Sequence, residues 1–185
     1  MMKDISLHIL DIVENSISAN AKNVEICIEI ETDADNLTVS VRDDGKGMDE
    51  DTAAHVISPF STSRTTRKVG LGIPFFKAGA EMTDGSFSLE SALGKGTFIA
   101  ATYTLSHIDR PPLGDIADTM KILIVCNQDV DFLFVYKLDE AEFKFDTKEV
   151  RRVLGDIPFS VPDVMAFIGD SLNEGITEIN GGMII

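Results

Sequence analysis

Between Val24 and Ile30 the sequence reads VEICIEI, with an aliphatic residue at every second position, and this period of two commits the segment to an extended strand with unlike faces. LTVSV, from Leu37 to Val41, repeats the period, and the intervening ETDADN has turn chemistry, so the runs read as a hairpin. A different period precedes them. In ISLHILDIVENSISA, residues 5–19, Ile5, Ile9, Ile12, Val13 and Ile17 recur at helical spacing, with Ser6 or Asp4 placed to cap the start. DTAAHVI at 51–57 reads as a short helix, and IPFFKAGAEM at 73–82 as another, with Pro74 in its first turn where a missing N–H costs least. SFSLES and GTFIAATYTL follow as strands around the tight turn ALGKG.

At SHIDRPPLGD, residues 106–115, the composition shifts toward that of a linker. KILIVC and FLFVYKL then read as apolar strands, followed by a helix over Thr147 to Leu154 and another that Ser160 or Pro162 opens and that runs through MAFIGDSLNEGITEI. The expected division is a first domain over 1–105, a linker over 106–118, and a small α/β extension or appended subdomain over 119–185. Residues 121–137 either extend the first sheet or begin a separate appendage; Phe132, Phe134, Phe143, Phe145, Phe159 and Phe167 supply much of its apolar area.

A length of 185 residues suits one domain with a modest appendage, and 44% apolar residues suffice for a core. Sixteen Lys plus Arg stand against 31 Asp plus Glu, a formal net charge of −15, which disfavours nucleic acid and anionic membrane as partners. No run approaches 18 apolar residues and the start, MMKDISLHILDIVENS, has no cleavage-site pattern, so a cytoplasmic protein is expected. Cys27 and Cys126 each lie in an apolar run and read as buried free thiols; with three scattered histidines they have no metal-site spacing.

Four short segments carry the chemistry. Asp11 and Asn15 are four apart, which stacks them on one helix face; alone, such a pair is an ordinary solvated surface. DDGKG, Asp43 to Gly47, leaves the strand ending near Val41 through a glycine-paired turn, where backbone can approach a flat ligand and Asp43 can accept a hydrogen bond from an amino group. GLG, Gly70 to Gly72, opens the next helix, and a Gly-rich helix entry exposes N–H groups that favour phosphate. GKGT, Gly94 to Thr97, has the bland alternative of a hairpin turn. Arg64, Arg67, Lys68 and Lys77 gather around the GLG element in an otherwise acidic chain, where triphosphate charge would be met.

The order and context of these segments resemble the ATPase superfamily shared by DNA gyrase B, Hsp90, sensor histidine kinases and MutL-type mismatch-repair proteins. DIVENSISANA is similar to its Asn-centred box, VRDDGKGM to its Asp-x-Gly-x-Gly box, PFSTSRTTRKVGLGI to its lid and Gly-Leu-Gly box, and LGKGTFI to its terminal Gly-x-Gly-Thr strand, over about residues 5–104. The resemblance implies a two-layer α/β sandwich of the Bergerat type, helices over a mixed sheet, with a C-terminal α/β extension. It also implies ATP and Mg²⁺ as ligands. Asn15 would ligate the magnesium, Asp43 would bind the adenine amino group, Gly45 and Gly47 would make room for the base, and Thr97 would support the adenine end through Asp43 or a water. Phe60 would mark the start of a lid that closes over the phosphates with Gly70, Leu71 and Gly72, while Met48, Thr62, Arg64, Lys68 and Gly96 complete the expected nucleotide contacts.

Asp11 departs from the pattern. Hydrolytic members of the superfamily usually place Glu there to activate water, and an Asp reaches roughly 1.5 Å less far, a displacement that can cost about a hundredfold in rate. Glu14 lies roughly 100° around the helix from Asn15 and is a poor substitute. Slow or absent hydrolysis is therefore expected, with Asp11 retained as the candidate catalytic residue. Sensor kinases carry a phosphoacceptor helix before this module, whereas the sequence enters the first box almost at once, so a stand-alone module acting on a protein partner is expected. That module either transfers a phosphoryl group, as anti-sigma-factor kinases do, or binds its partner in response to nucleotide without chemistry.

Overall fold

A computed structural model describes residues 4–57 and 72–181. Helix α1 (Ile5–Ser18) is followed by β1 (Asn23–Glu31) and β2 (Asn36–Asp43), then α2 (Glu50–Ile57), α3 (Gly72–Glu81), β3 (Ser86–Ala92) and β4 (Gly96–Thr104). The chain continues through α4 (Ile116–Cys126), β5 (Asp131–Leu138), β6 (Ala141–Asp146), α5 (Thr147–Leu154) and α6 (Pro162–Asn180). The six described strands form one sheet in the order β3-β4-β2-β1-β5-β6. Neighbours are antiparallel except β1 and β5, which are parallel, with Asn23 beside Asp131 and Ile30 beside Leu138.

The period-two runs decide which face is covered. Val24, Ile26, Ile28 and Ile30 of β1, with Leu37, Val39 and Val41 of β2, are fully buried against Ile5, Ile9, Ile12 and Val13 of α1. Glu25, Cys27 and Glu29 fall on the opposite, open face. Phe132, Phe134 and Tyr136 of β5 continue the apolar floor and meet Met120, Leu123 and Ile124 of α4 and Ile168 and Leu172 of α6. Each such side chain withdrawn from water stabilises the fold by roughly 1.5–3 kcal/mol, so the helical layer and the sheet hold one another. The arrangement is the mixed two-layer α/β sandwich expected from the sequence.

Two expectations for the C-terminal segment, and one for the cysteines, differ from the structure. KILIVC is not a strand: it is the second half of α4, whose start at Ile116 falls inside the range assigned to the linker. The Asp115 side chain caps that start by accepting the Asp118 N–H at 2.9 Å, and the burial of Ile116, Met120, Leu123 and Ile124 follows helical spacing. A six-residue apolar run cannot separate a buried helix turn from a buried strand by periodicity. Second, β6 was not anticipated; it pairs with β5 as an edge strand, Phe145 inward and Lys144 outward. Third, the thiols are free but not buried, because Cys27 lies half-buried on the open sheet face and Cys126 is exposed at the end of α4.

Residues 106–115 are strapped to the start of the chain. The Pro112 and Leu113 carbonyls each accept an N–H from α1, those of Ile5 and Ser6, at 2.9 Å. Leu113 is buried, and Gly114 takes a φ of +79° beside the Asp4 carboxylate. Among the described residues no helix is long and apolar enough to cross a membrane.

Candidate functional site

The cavity that collects the sequence candidates has a volume of about 410 Å³ and lies between α1, α2, the first turn of α3 and the ends of β2 and β4. Asn15 and Ser16 face it from α1, Gly47 and Met48 from the turn after β2, Ile73 from α3 and Thr97 from β4. The volume suits a small organic ligand, and its wall combines apolar side chains such as Ile12, Met48 and Ile99 with polar ones, Asn15, Asp43, Lys46 and Thr97 among them.

Asp43 is the last residue of β2 and is only 9% exposed. Its Oδ2 accepts the Ser16 hydroxyl at 2.6 Å and its Oδ1 accepts the Gly45 N–H at 2.8 Å. Each oxygen keeps acceptor capacity beyond these bonds, so a carboxylate of fixed orientation is left for a donor in the cavity. Gly45 holds its N–H under the carboxylate, and a Cβ there would lie 3.0 Å from Asp43 Oδ1.

The loop is held shut by backbone contacts no side chain could tolerate. Gly47 has φ +66°, and a Cβ would stand 1.9 Å from the Ala92 carbonyl oxygen; Gly96 has φ +84°, and a Cβ would stand 2.0 Å from the Asp43 carbonyl oxygen. Lys46 N–H donates to the Ala19 carbonyl at 2.9 Å and Gly94 N–H to the Lys46 carbonyl at 2.7 Å. Met48 N–H donates to Ser91 Oγ at 2.9 Å, and Ser91 Oγ lies 2.9 Å from Thr97 Oγ1. Thr97 is the ladder partner of Asp43, but its hydroxyl bonds Ser91 rather than the carboxylate. Ser16 and Ser91 were not singled out in the sequence. Their partners lie 27 and 43 residues away, so no local pattern marks them.

The other end of the cavity is built by α1 and α3. The Asn15 side-chain amide makes no hydrogen bond to the described residues and lines the cavity. One turn earlier, Asp11 Oδ2 accepts the Gly72 N–H, the first of α3, at 2.7 Å. His8, on the same helix, is 5% exposed; its Nδ1 has no partner among the described residues, and burial pushes its pKa down against the opposing pull of Asp4 and Asp11. Lys77 points elsewhere, paired with Glu81 at 3.0 Å. Phe60, Thr62, Arg64, Lys68, Gly70 and Leu71 lie outside the described residues.

The family profile described as histidine kinase-, DNA gyrase B- and HSP90-like ATPase matches residues 3–107, which span every described element of this cavity. The chain belongs to that family. Within it, relatives include sensor histidine kinase YvrG of Bacillus subtilis (strain 168), 28% identical over 97 residues that cover 50% of this chain and 17% of that protein. Sensor protein kinase FleS of Pseudomonas aeruginosa is 38% identical over 110 residues, 60% of this chain and 27% of that one. The chain therefore spans less than a third of the length of these relatives. Among solved structures, the Aquifex aeolicus MutL ATPase domain complexed with ADP aligns with a TM-score of 0.51 at 14% identity, covering 83% of this chain and 70% of that one. That likeness extends to the Bergerat-type fold. The chain is an ATP-binding module of this family related to sensor histidine kinases.

Proposed function

We propose that the module binds ATP with Mg²⁺ through Asp43 and Asn15 and acts on a partner protein, transferring the terminal phosphoryl group to it. The observation that carries the nucleotide half is the buried Asp43 carboxylate. Two donors fix it from behind, and it forms the wall of a cavity whose neighbouring glycines leave no room for side chains. A fixed carboxylate with spare acceptor capacity suits the exocyclic amine of adenine. Asn15 fits the metal: a carboxamide oxygen that takes no hydrogen bond from the described residues and faces the cavity can complete, with phosphate and water oxygens, the octahedral shell that magnesium prefers. The sensor-kinase relatives favour a protein acceptor, because in that class the hydroxyl or imidazole that takes the phosphoryl group comes from protein. Bond making would join the phosphorus to that acceptor atom as the bond to the ADP oxygen breaks, the acceptor's proton passing to solvent or base.

Calorimetry with ATP·Mg²⁺ tests binding, and labelled ATP with candidate acceptors tests transfer. Asp43→Ala is expected to weaken binding about 10- to 100-fold, the worth of a hydrogen bond to a charged group. Asn15→Ala is expected to abolish the gain in affinity from Mg²⁺ while leaving metal-free binding intact. A wild-type protein that binds no ATP at millimolar concentration contradicts the proposal. Nucleotide binding without label transfer would instead favour a nucleotide-responsive binding module, a reading supported by the Asp11–Gly72 bond, which ties one oxygen of the candidate base to α3.

A further inference from the structure

Asp11 stands where the sequence offered a water-activating base, but one oxygen of its carboxylate is already engaged. Oδ2 accepts the Gly72 N–H at 2.7 Å, and that N–H is one of the four at the start of α3 that no carbonyl within the helix can satisfy. The fit leaves no slack: a Cβ on Gly72 would stand 2.1 Å from Asp11 Oδ2 and 2.8 Å from Asp11 Cβ and Cγ. No ion pair offsets the carboxylate among the described residues, and the nearby imidazole of His8 is held toward its neutral form by burial. An anion at the positive end of a helix is what this contact amounts to. Ile73, the next residue of α3, and Ile12, the next residue of α1, both line the nucleotide cavity, so the contact lies just behind its wall, at the end the nucleotide reading assigns to the phosphates.

We propose that Asp11 is a latch: its carboxylate occupies the amide end of α3 in place of a nucleotide's terminal phosphate, so the pocket discriminates among nucleotides by phosphate number. Asp11 is then a positioning residue, not a base. The inference rests on the nucleotide reading above for its selectivity half, whereas the latch itself is a property of the protein without ligand. A terminal phosphate that reaches α3 must displace the carboxylate or sit beside a second negative charge. A shorter nucleotide meets neither obstacle. The contact also binds α1 to α3, so the same displacement loosens the junction of two helices that wall the pocket.

The experiment uses the full chain with Asp11→Asn, Asp11→Ala and Gly72→Ala. In ¹⁵N-labelled protein without nucleotide, the Gly72 amide is expected to lose hydrogen-exchange protection in Asp11→Ala and to keep most of it in Asp11→Asn, whose carbonyl oxygen still accepts. Calorimetry with adenosine, ADP and ATP is expected to show the affinity ratio of ATP to ADP rising at least fivefold in Asp11→Asn and Asp11→Ala, with adenosine unchanged. Gly72→Ala, whose Cβ displaces the carboxylate, is expected to shift the ratio in the same direction. A purely structural cap would move all three ligands together or none, and that result, or an unprotected Gly72 amide in the unaltered protein, overturns the latch. Failure of the unaltered protein to bind any nucleotide would overturn the nucleotide reading and the selectivity with it; the Gly72 amide reports the contact separately.

Discussion

Ser16 holds Asp43 from behind, and the value of that bond can be measured without touching the carboxylate. Ser16→Ala removes the donor to Oδ2 at a buried site, so we expect about 1–3 kcal/mol lower stability in urea melts and a weaker, less selective grip on adenine over guanine nucleotides. His8 makes a prediction in pH. Its folded pKa lies below the ordinary imidazole value because burial disfavours the charged ring, so the unfolded chain takes up the proton more readily. The stability this contributes is complete above about pH 6.5 and is lost as pH falls through the folded pKa. His8→Leu should therefore flatten the fall in melting temperature between about pH 7 and pH 5. Asp43 and Asn15 were singled out as candidates because Gly45 and Gly47 follow the first and Asp11 lies four residues before the second. Ser16, Ser91 and the Asp11–Gly72 bond were not legible, because each depends on how α1, β3 and α3 are placed in space.

Elements were readable where one period ran long enough to be unambiguous. The alternation in β1 and β2 and the spacing in α1 identified strands, helix and buried faces alike, down to Ile5, Ile9, Ile12 and Val13. α4 failed that test because its buried helical stripe begins at Ile116, in a segment whose prolines and Gly114 suggested a linker. β6 hid because Phe143 and Phe145 are only two inward positions of a short edge strand. α6 bears a constraint that local pattern also concealed. Gly175 looks like a flaw in a helix, yet a Cβ there would lie 2.2–2.4 Å from the Phe143 ring, so the glycine admits the contact between α6 and β6. Gly175→Ala is expected to destabilise the protein by about 1–3 kcal/mol despite the better helix propensity of alanine. Combination with Phe143→Leu should recover part of that loss, as a double-mutant cycle in chemical denaturation would show.

In the molecule as a whole, the nucleotide-binding half and the C-terminal half share one sheet. β1, next to the strand that carries Asp43, is bonded on its far side to β5 along its whole length, and α4 packs between α1 and α6. Truncation after residue 118 would leave β1 as an unpaired edge and uncover the apolar floor beneath α4. We expect the fragment to lose its near-ultraviolet circular dichroism and bind a hydrophobic dye, and its nucleotide affinity to fall with its tertiary structure.

The parallel pairing of β1 with β5 also imposes an order of events during synthesis. Glu29 meets Lys137 across a separation of 108 residues. At about 5–20 residues per second, β1 waits on the order of 5–20 s for the strand that completes it. For that interval the nascent chain presents an alternating Ile-rich edge with no partner, and the copy of β5 that reaches it first must be its own; on a crowded polysome, a neighbouring chain's β5 offers the same hydrogen bonds and a route to an exchanged dimer.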